Sequence, residues 1–158
     1  MRTEEIFNYK KVNEQLSTAG QPTEEQLRAA AQEGFAAVIN LATDQPGFSL
    51  PDEAGLVRSL GMEYVHIPVD WQNPTLADFY AFDAALIRLG DSKVLVHCQA
   101  NFRVTAFYGL YAMKRLGWSE AEAEAFRASI WQGSDYPTWE RFIQDARKSI
   151  ASGNGQQG

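Results

Sequence analysis

The stretch VLVHCQANFRVTAF, from Val94 to Phe107, gives the clearest indication of the fold and of the place of its site. Its first four residues are a short apolar run ending in a histidine, which is typical of a strand buried on both faces of a sheet. A polar loop begins at Cys98, and the apolar pattern over 105–116, stopped by Gly117, predicts a helix. The stretch is therefore predicted to lead from a buried strand, through a tight loop, to the N-terminus of a helix.

The loop between this strand and this helix has the composition of an anion site that holds a nucleophile. Backbone N–H groups and the helix dipole attract an anion at such a junction. Arg103 adds a planar guanidinium, which can hold two oxygens of a phosphoryl group. A helix N-terminus and a nearby cation also favour the thiolate, the nucleophilic form of cysteine. We therefore expect Cys98 to attack phosphorus and form a phosphocysteine that water hydrolyses.

Strands and helices alternate outward from this stretch. A hairpin is predicted from 8–12 and 15–18, and buried strands from 35–41, 64–69 and 94–97. Helices are predicted from the capping box Thr23–Gln26 to Gly34, over 51–60, 75–89 and 105–116, from the capping box Ser119–Glu122 to Ser129, and over 137–150. The alternation predicts an α/β domain with a central, mostly parallel sheet and helices on both faces. This single domain is expected over 3–150, with a disordered polar tail over 151–158.

Composition narrows the class of protein further. The chain has 158 residues, of which 45% are hydrophobic and 22% charged, as expected of one globular domain. The formal net charge of -6 and the lack of a basic run argue against nucleic acid and membrane surfaces as partners. Without a signal-like N-terminus or a long apolar segment, the protein is predicted to be cytoplasmic. One cysteine and two histidines are too few for a disulfide or a thiolate–imidazole zinc cluster. A carboxylate metal site stays open but has no supporting pattern, so we expect no metal and no cofactor.

The segment HCQANFR (97–103), between an apolar strand and a helix, resembles the phosphate-binding loop of the cysteine-based protein tyrosine phosphatases. The compact chain is similar to their dual-specificity branch, and the stretches GQPT (20–23) and VINL (38–41) resemble its bacterial, eukaryotic-like members. The resemblance covers about 9–150. It implies a protein-tyrosine-phosphatase-like fold and a metal-independent phosphomonoesterase that acts on phosphoproteins or phosphopeptides, with phosphotyrosine the preferred substrate.

The resemblance also implies roles for individual residues. Cys98 is the nucleophile, and the phosphate-binding loop comprises Gln99, Ala100, Asn101, Phe102 and Arg103. The family takes a general acid from a separate loop, and Asp70, which follows the strand over 64–69, matches that position, with Asp44 and Asp52 as alternatives. His97 is expected to support the loop by hydrogen bonding, because its side chain alternates with that of Cys98 and lies on the other face of the sheet.

The loop departs from the pattern of the family in three respects. Four residues separate Cys98 from Arg103, whereas the family has five. The loop contains no glycine, and Asn101 is its residue best suited to a left-handed backbone. Val104 occupies the position where the family has Ser or Thr, so we expect Thr105, one place later, to assist the leaving thiolate.

Two other functions are compatible with the same residues. A rhodanese-like sulfurtransferase would carry a persulfide on Cys98 and would not need an acid at Asp70. A catalytically inactive module that binds phosphate or phosphopeptides would result if the shortened loop prevents turnover. Several nearby side chains have an ordinary structural role as well as a functional one open to them. Trp71 and Phe102 either pack locally or line the pocket, and Gln132 and Asp135 either make turn or capping contacts or approach a bound substrate or water. His66 is expected in the core or at the sheet edge.

Overall fold

The structure, a computed structural model, describes residues 2–45, 47, 49–132 and 136–153. After a short 3-10 turn at Thr3–Glu5, its strands are β1 (Lys10–Asn13), β2 (Leu16–Ala19), β3 (Ala37–Asn40), β4 (Glu63–His66) and β5 (Val94–His97). Its helices are α1 (Glu24–Gln32), α2 (Glu53–Ser59), α3 (Leu76–Leu89), α4 (Phe102–Arg115), α5 (Glu120–Ala128) and α6 (Pro137–Gly153). No helix in the part of the chain that the structure describes is long and apolar enough to cross a membrane.

The five strands form one sheet in the order β1-β2-β5-β3-β4. Only the β1–β2 hairpin is antiparallel, and β2, β5, β3 and β4 run parallel to one another. The carboxyl ends of four strands therefore meet at one edge of the sheet, where α/β proteins bind ligands. The predicted α/β class and mostly parallel sheet are confirmed.

Helices cover both faces of the sheet, as predicted. In β5, the side chains of Val94 and Val96 pack with Phe107 and the other core residues of α3, α4 and α6, whereas Leu95 packs on the opposite face with Leu27 of α1 and Val57 of α2. Because β5 lies between two strands and beneath two helical layers, all four of its residues are buried. The strand that carries the candidate site is thus fully enclosed at the centre of the sheet.

Both predicted capping boxes are present. The Thr23 hydroxyl accepts a hydrogen bond from the Gln26 N–H at 3.1 Å, and the Gln26 side chain accepts one from the Thr23 N–H at 2.9 Å. Ser119 and Glu122 make the same reciprocal pair at the start of α5. These local patterns correctly located the starts of two helices.

Three predicted boundaries were wrong by three residues each. The strand expected over 64–69 is the edge strand β4, which stops at His66 and is only partly buried, because no strand in the described residues pairs with its outer side. Helix α4 begins at Phe102 instead of 105, because Asn101 turns the chain directly into the helix. Helix α6 continues to Gly153, past the predicted end at Ile150, because Ala151 favours helix. The rest of the predicted tail, 154–158, lies outside the described residues.

Candidate active site

Cys98 follows directly on the central strand β5 and is almost fully buried, with 1% of its surface exposed. Its N–H donates to the carbonyl of Ala19, at the end of β2, with a donor–acceptor distance of 3.3 Å. A cavity of about 400 Å³ opens above it. The lining residues are Thr43, Gln45, Asp70, Trp71, Gln72, Cys98, Gln99, Ala100, Phe102, Arg103 and Tyr136. The structure thus brings Cys98, Arg103 and Asp70 to one cavity.

Asn101 makes the turn from the loop into helix α4. Its φ of 70° lies in the left-handed region, as predicted for this position. The side chain is fully buried, and its Nδ2 donates to the Asn8 carbonyl at 2.9 Å and to the Thr18 hydroxyl at 3.0 Å. Asn8 in turn donates from its own Nδ2 to the Ala100 carbonyl at 2.9 Å. Asn101 therefore replaces the expected glycine and also ties the loop to the N-terminal segment.

The GQPT stretch supports the other side of the loop. The Gln21 N–H donates to the Gln99 carbonyl at 2.9 Å, and the Gly20 N–H donates to the Phe7 carbonyl at 2.7 Å. A β-carbon at Gly20 would lie 2.7 Å from the Gln99 oxygen, closer than real side chains approach. Gly20 is needed here because two backbone segments meet without room for a side chain.

Arg103 lies in the first turn of α4, and not at the end of the loop as predicted, because the helix already begins at Phe102. Its Nη1 donates to the carbonyls of Val69 at 3.0 Å and Leu41 at 3.4 Å, and its Nη2 donates to Gln99 Oε1 at 3.1 Å. Among the described residues, Nε and one hydrogen of Nη2 have no partner. The guanidinium is therefore anchored at the sheet edge with two donors left for an anion.

Electrostatic contacts also join Arg103 to the other two candidate residues. Burial lowers the pKa of Arg103, whereas the charges of Cys98 and Asp70 act to raise it. These opposing effects mean that the guanidinium lies within electrostatic reach of both groups. A buried cation that lines the same cavity as a cysteine and an aspartate is suited to a phosphoryl group, which brings negative charge of its own.

Asp70 is exposed at the wall of the cavity. One of its carboxylate oxygens, Oδ1, accepts the Gln72 N–H at 2.9 Å, which closes a local turn. Of the two alternatives, Asp52 caps helix α2 by accepting the Gly55 N–H at 3.0 Å, and neither Asp44 nor Asp52 lines the cavity. The geometry therefore favours Asp70 as the acidic group of the site.

A buried polar network lies beneath the loop, on the other face of the sheet. His97 is fully buried; its Nε2 contacts Glu53 Oε2 at 2.6 Å and its Nδ1 contacts the Cys98 carbonyl at 3.1 Å. Gln21 Nε2 donates to the other Glu53 oxygen at 2.9 Å. Burial would raise the pKa of Glu53, but the attraction of His97 and the hydrogen bonds from His97 and Gln21 outweigh it and leave the pKa below its usual range. The sequence indicated a supporting position for His97, whereas Glu53 carried no signal beyond its place near a helix start.

Thr105 does not make the contact that the sequence predicted. It is fully buried, and its hydroxyl donates to the Phe102 carbonyl at 3.0 Å, within helix α4. The proton that would stabilise a thiolate is thus used inside the helix, because the early start of α4 puts Thr105 in its first turn. His66, the other histidine considered, is exposed on the edge strand, and its Nε2 contacts the Ala42 carbonyl at 2.7 Å.

An aromatic cluster forms one wall of the cavity. Trp71, beside Asp70, contacts the rings of Phe102, Trp131, Tyr136 and Trp139 at centroid distances of 5.1–6.4 Å. Of the two roles considered for Trp71, it lines the cavity, and most of its ring partners lie far along the chain instead of in its own loop. In the sequence, this cluster was indicated only by the high density of aromatic residues over 131–142. Of the two polar residues noted in this region, Gln132 is exposed and Asp135 lies outside the described residues.

The sheet order and the strand–loop–helix site are those of the protein tyrosine phosphatase fold. The structure superimposes on the active form of Tk-PTP with a TM-score of 0.74 and 22% identity, over 89% of this chain and 97% of that one. It superimposes on Pseudomonas aeruginosa TpbA with a TM-score of 0.71 and 14% identity, over 92% and 91% of the two chains. A crystal structure from Shewanella putrefaciens CN-32, provisionally described as a phosphatase (DUF442), gives a TM-score of 0.84 and 36% identity over 93% and 95%.

The particular family follows from the sequence match. The chain belongs to the family of the phosphatase-like domain of beta-lactamase hydrolase-like proteins, whose sequence model matches residues 8–114. A relative, the beta-lactamase hydrolase-like protein of Agrobacterium fabrum, is 31% identical over 105 residues, or 63% of this chain. The chain spans only 24% of the length of that relative. Family and fold together support a phosphatase.

Proposed function

We propose that the protein is a cysteine-dependent phosphatase that hydrolyses phosphotyrosine in proteins or peptides through a phosphocysteine intermediate, without a metal ion. The observation that carries the proposal is the position of Cys98, Arg103 and Asp70 around one cavity of about 400 Å³. A thiol, a buried cation and an exposed carboxylic acid are the nucleophile, the anion ligand and the proton donor that this reaction needs.

In the first step, the Cys98 sulfur attacks phosphorus and the bond from phosphorus to the ester oxygen breaks. Asp70 gives its proton to the leaving oxygen, a contribution that is typically worth about 10²–10⁴ in rate. The free Nε and Nη2 donors of Arg103, with the loop N–H groups, stabilise the charge on the phosphoryl oxygens. In the second step, Asp70 accepts a proton from water as the water attacks the phosphocysteine, which releases phosphate and regenerates the thiolate.

The lining of the cavity supports an aromatic phosphate ester as the substrate. Trp71, Phe102 and Tyr136 present rings at the wall, and such rings pack favourably against a phenyl group. Arg103 is the only Lys or Arg among the described lining residues, which is enough for a single phosphate but unfavourable for a polyphosphorylated ligand. TpbA, which shares the fold, has been crystallised in complex with pTyr as a cysteine-to-serine variant.

The first test is release of phosphate from para-nitrophenyl phosphate in EDTA and a thiol reductant. We expect turnover by the wild type, none by Cys98→Ser, and a reduced kcat/KM in Asp70→Asn. Asp52→Asn is the matched control, because it makes the same change at a neighbouring loop where asparagine also caps a helix well. Turnover that survives in Cys98→Ser, or that is lost in EDTA, contradicts the proposal.

The substrate class is tested separately with phosphopeptides. We expect a higher kcat/KM on a phosphotyrosine peptide than on the matched phosphoserine peptide or on a phosphoinositide. Binding of the phosphotyrosine peptide without turnover would instead indicate a binding module. Transfer of sulfur from thiosulfate to cyanide, in the absence of phosphatase activity, would indicate a sulfurtransferase.

A further inference from the structure

The segment that carries Asp70 is tied to the body of the protein by a backbone hydrogen bond, from the Val69 N–H to the Leu41 carbonyl at 3.0 Å, and by two hydrogen bonds from distant side chains. The Val69 carbonyl accepts from Arg103 Nη1 at 3.0 Å, and the Trp71 carbonyl accepts from Trp139 Nε1 at 2.9 Å. These two carbonyls lie on either side of Asp70. The next hydrogen bonds along the segment are local, from the N–H groups of Gln72 and Asn73 back to Asp70. The backbone at Asp70 is thus held on one side by the candidate phosphate ligand and on the other by Trp139.

Trp139 is a rigid point of attachment. It lies in α6 with only 1% of its surface exposed. Its ring contacts Phe107 of α4 at a centroid distance of 6.0 Å and Phe142 of α6 at 5.5 Å, and it packs against Trp71 at 5.2 Å. Because a ring packed on these sides has little freedom to move, its N–H stays in place. The position of the Trp71 carbonyl is therefore set by the core.

We infer that Trp139 is a positioning residue for the general acid: its indole N–H fixes the Trp71 carbonyl and so holds the Asp70 carboxyl at the cavity. The inference rests on the proposed function, since it assigns a part in the same proton transfer. A proton donor must lie within hydrogen-bond reach of the leaving oxygen, and a displacement of about 1 Å can cost about 10²-fold in rate. Trp139 itself does not line the cavity, so it acts only through the segment.

The test compares two leaving groups in the variant Trp139→Phe, which keeps an aromatic ring but lacks the N–H. Phenol needs a proton when it leaves, and para-nitrophenol needs it much less. We expect kcat/KM to fall about tenfold on phenyl phosphate and about threefold or less on para-nitrophenyl phosphate. When Asp70 is already replaced by asparagine, adding Trp139→Phe should no longer lower kcat/KM on phenyl phosphate more than on para-nitrophenyl phosphate. Trp118→Phe is the matched control, because Trp118 packs on Tyr108 and Phe126, away from the segment.

The outcomes separate cleanly. An equal loss on both substrates, no loss on either, or a selective loss that persists in the Asp70→Asn background overturns the inference. If Trp139→Phe does not fold by circular dichroism, 3-benzothienylalanine at position 139 keeps the shape of indole without the N–H and takes its place. Failure of the proposed function is distinguished from all of these, because the wild type itself would then show no turnover above Cys98→Ser.

Discussion

Gly20 provides the sharpest test of how the loop of Cys98 is held. In Gly20→Ala, the new β-carbon would lie 2.7 Å from the Gln99 carbonyl oxygen and 2.9 Å from both the carbonyl oxygen and Cδ2 of Phe7. The Phe7 ring is 61% exposed and can move aside. The two carbonyls cannot do so freely, because each accepts a short hydrogen bond from the backbone of Gly20 or Gln21.

The structure gives the size of the effect. Relief of contacts that are several tenths of an ångström too short requires shifts of the backbone, and such overpacking costs about 1–3 kcal/mol. For a chain of this size, that cost lowers the melting temperature by about 2–12 °C. Because Gln99 is bonded to Cys98, the same shift displaces the loop of the nucleophile. We expect kcat/KM on para-nitrophenyl phosphate to fall about tenfold or more.

The assay is thermal unfolding followed by circular dichroism, together with steady-state kinetics. Gly109→Ala is the matched control. In helix α4 its β-carbon would lie 3.2 Å from Ala123 Cβ, and the preference of helices for alanine, about 1 kcal/mol, offsets that mild contact. A Gly20→Ala protein that melts and turns over like the wild type would refute the reasoning, since the close approach would then carry no cost.

Three further predictions concern the buried polar contacts. Asn101→Gly and Asn101→Ala both lose the two hydrogen bonds of the Asn101 side chain, but alanine is also strained by the left-handed backbone at this position. We therefore expect urea unfolding to show Asn101→Ala about 1 kcal/mol less stable than Asn101→Gly. The pKa of Glu53 is lower in the folded protein than in the unfolded chain, where it is about 4.5. Its stabilisation is therefore fully present above that pH and is lost as the pH falls through the folded value, so the stability deficit of Glu53→Gln in urea unfolding should shrink as the pH is lowered below about 4.5. Asp83 joins α3 to α4 away from the cavity, because it accepts hydrogen bonds from Lys114 and Arg115 at 2.9–3.0 Å. In Asp83→Asn, the free energy of unfolding measured in urea should fall by about 1–3 kcal/mol, whereas kcat/KM should be unchanged.

The sequence alone predicted those features that depend on neighbouring residues. Capping boxes, apolar runs and the strand–loop–helix pattern at Cys98 are local, because hydrogen bonds and side-chain periodicity act over a few residues. They were sufficient for the fold class, for the strand that carries the nucleophile and for the left-handed turn at Asn101. They were not sufficient for the start of α4 or the edge position of β4, which depend on backbone geometry and on which strands pair.

The distant side chains that support the site could be identified only from the tertiary packing. Trp139 contacts Trp71 from 68 positions along the chain, and Glu53 contacts His97 from 44 positions away. Such pairs leave no periodic or local pattern, because they form only when packing of the helices on the sheet brings them together. A cysteine followed five positions later by an arginine, between a strand and a helix, was therefore visible in the sequence, whereas the carboxylate beneath them and the tryptophan beside the acid were determined by packing.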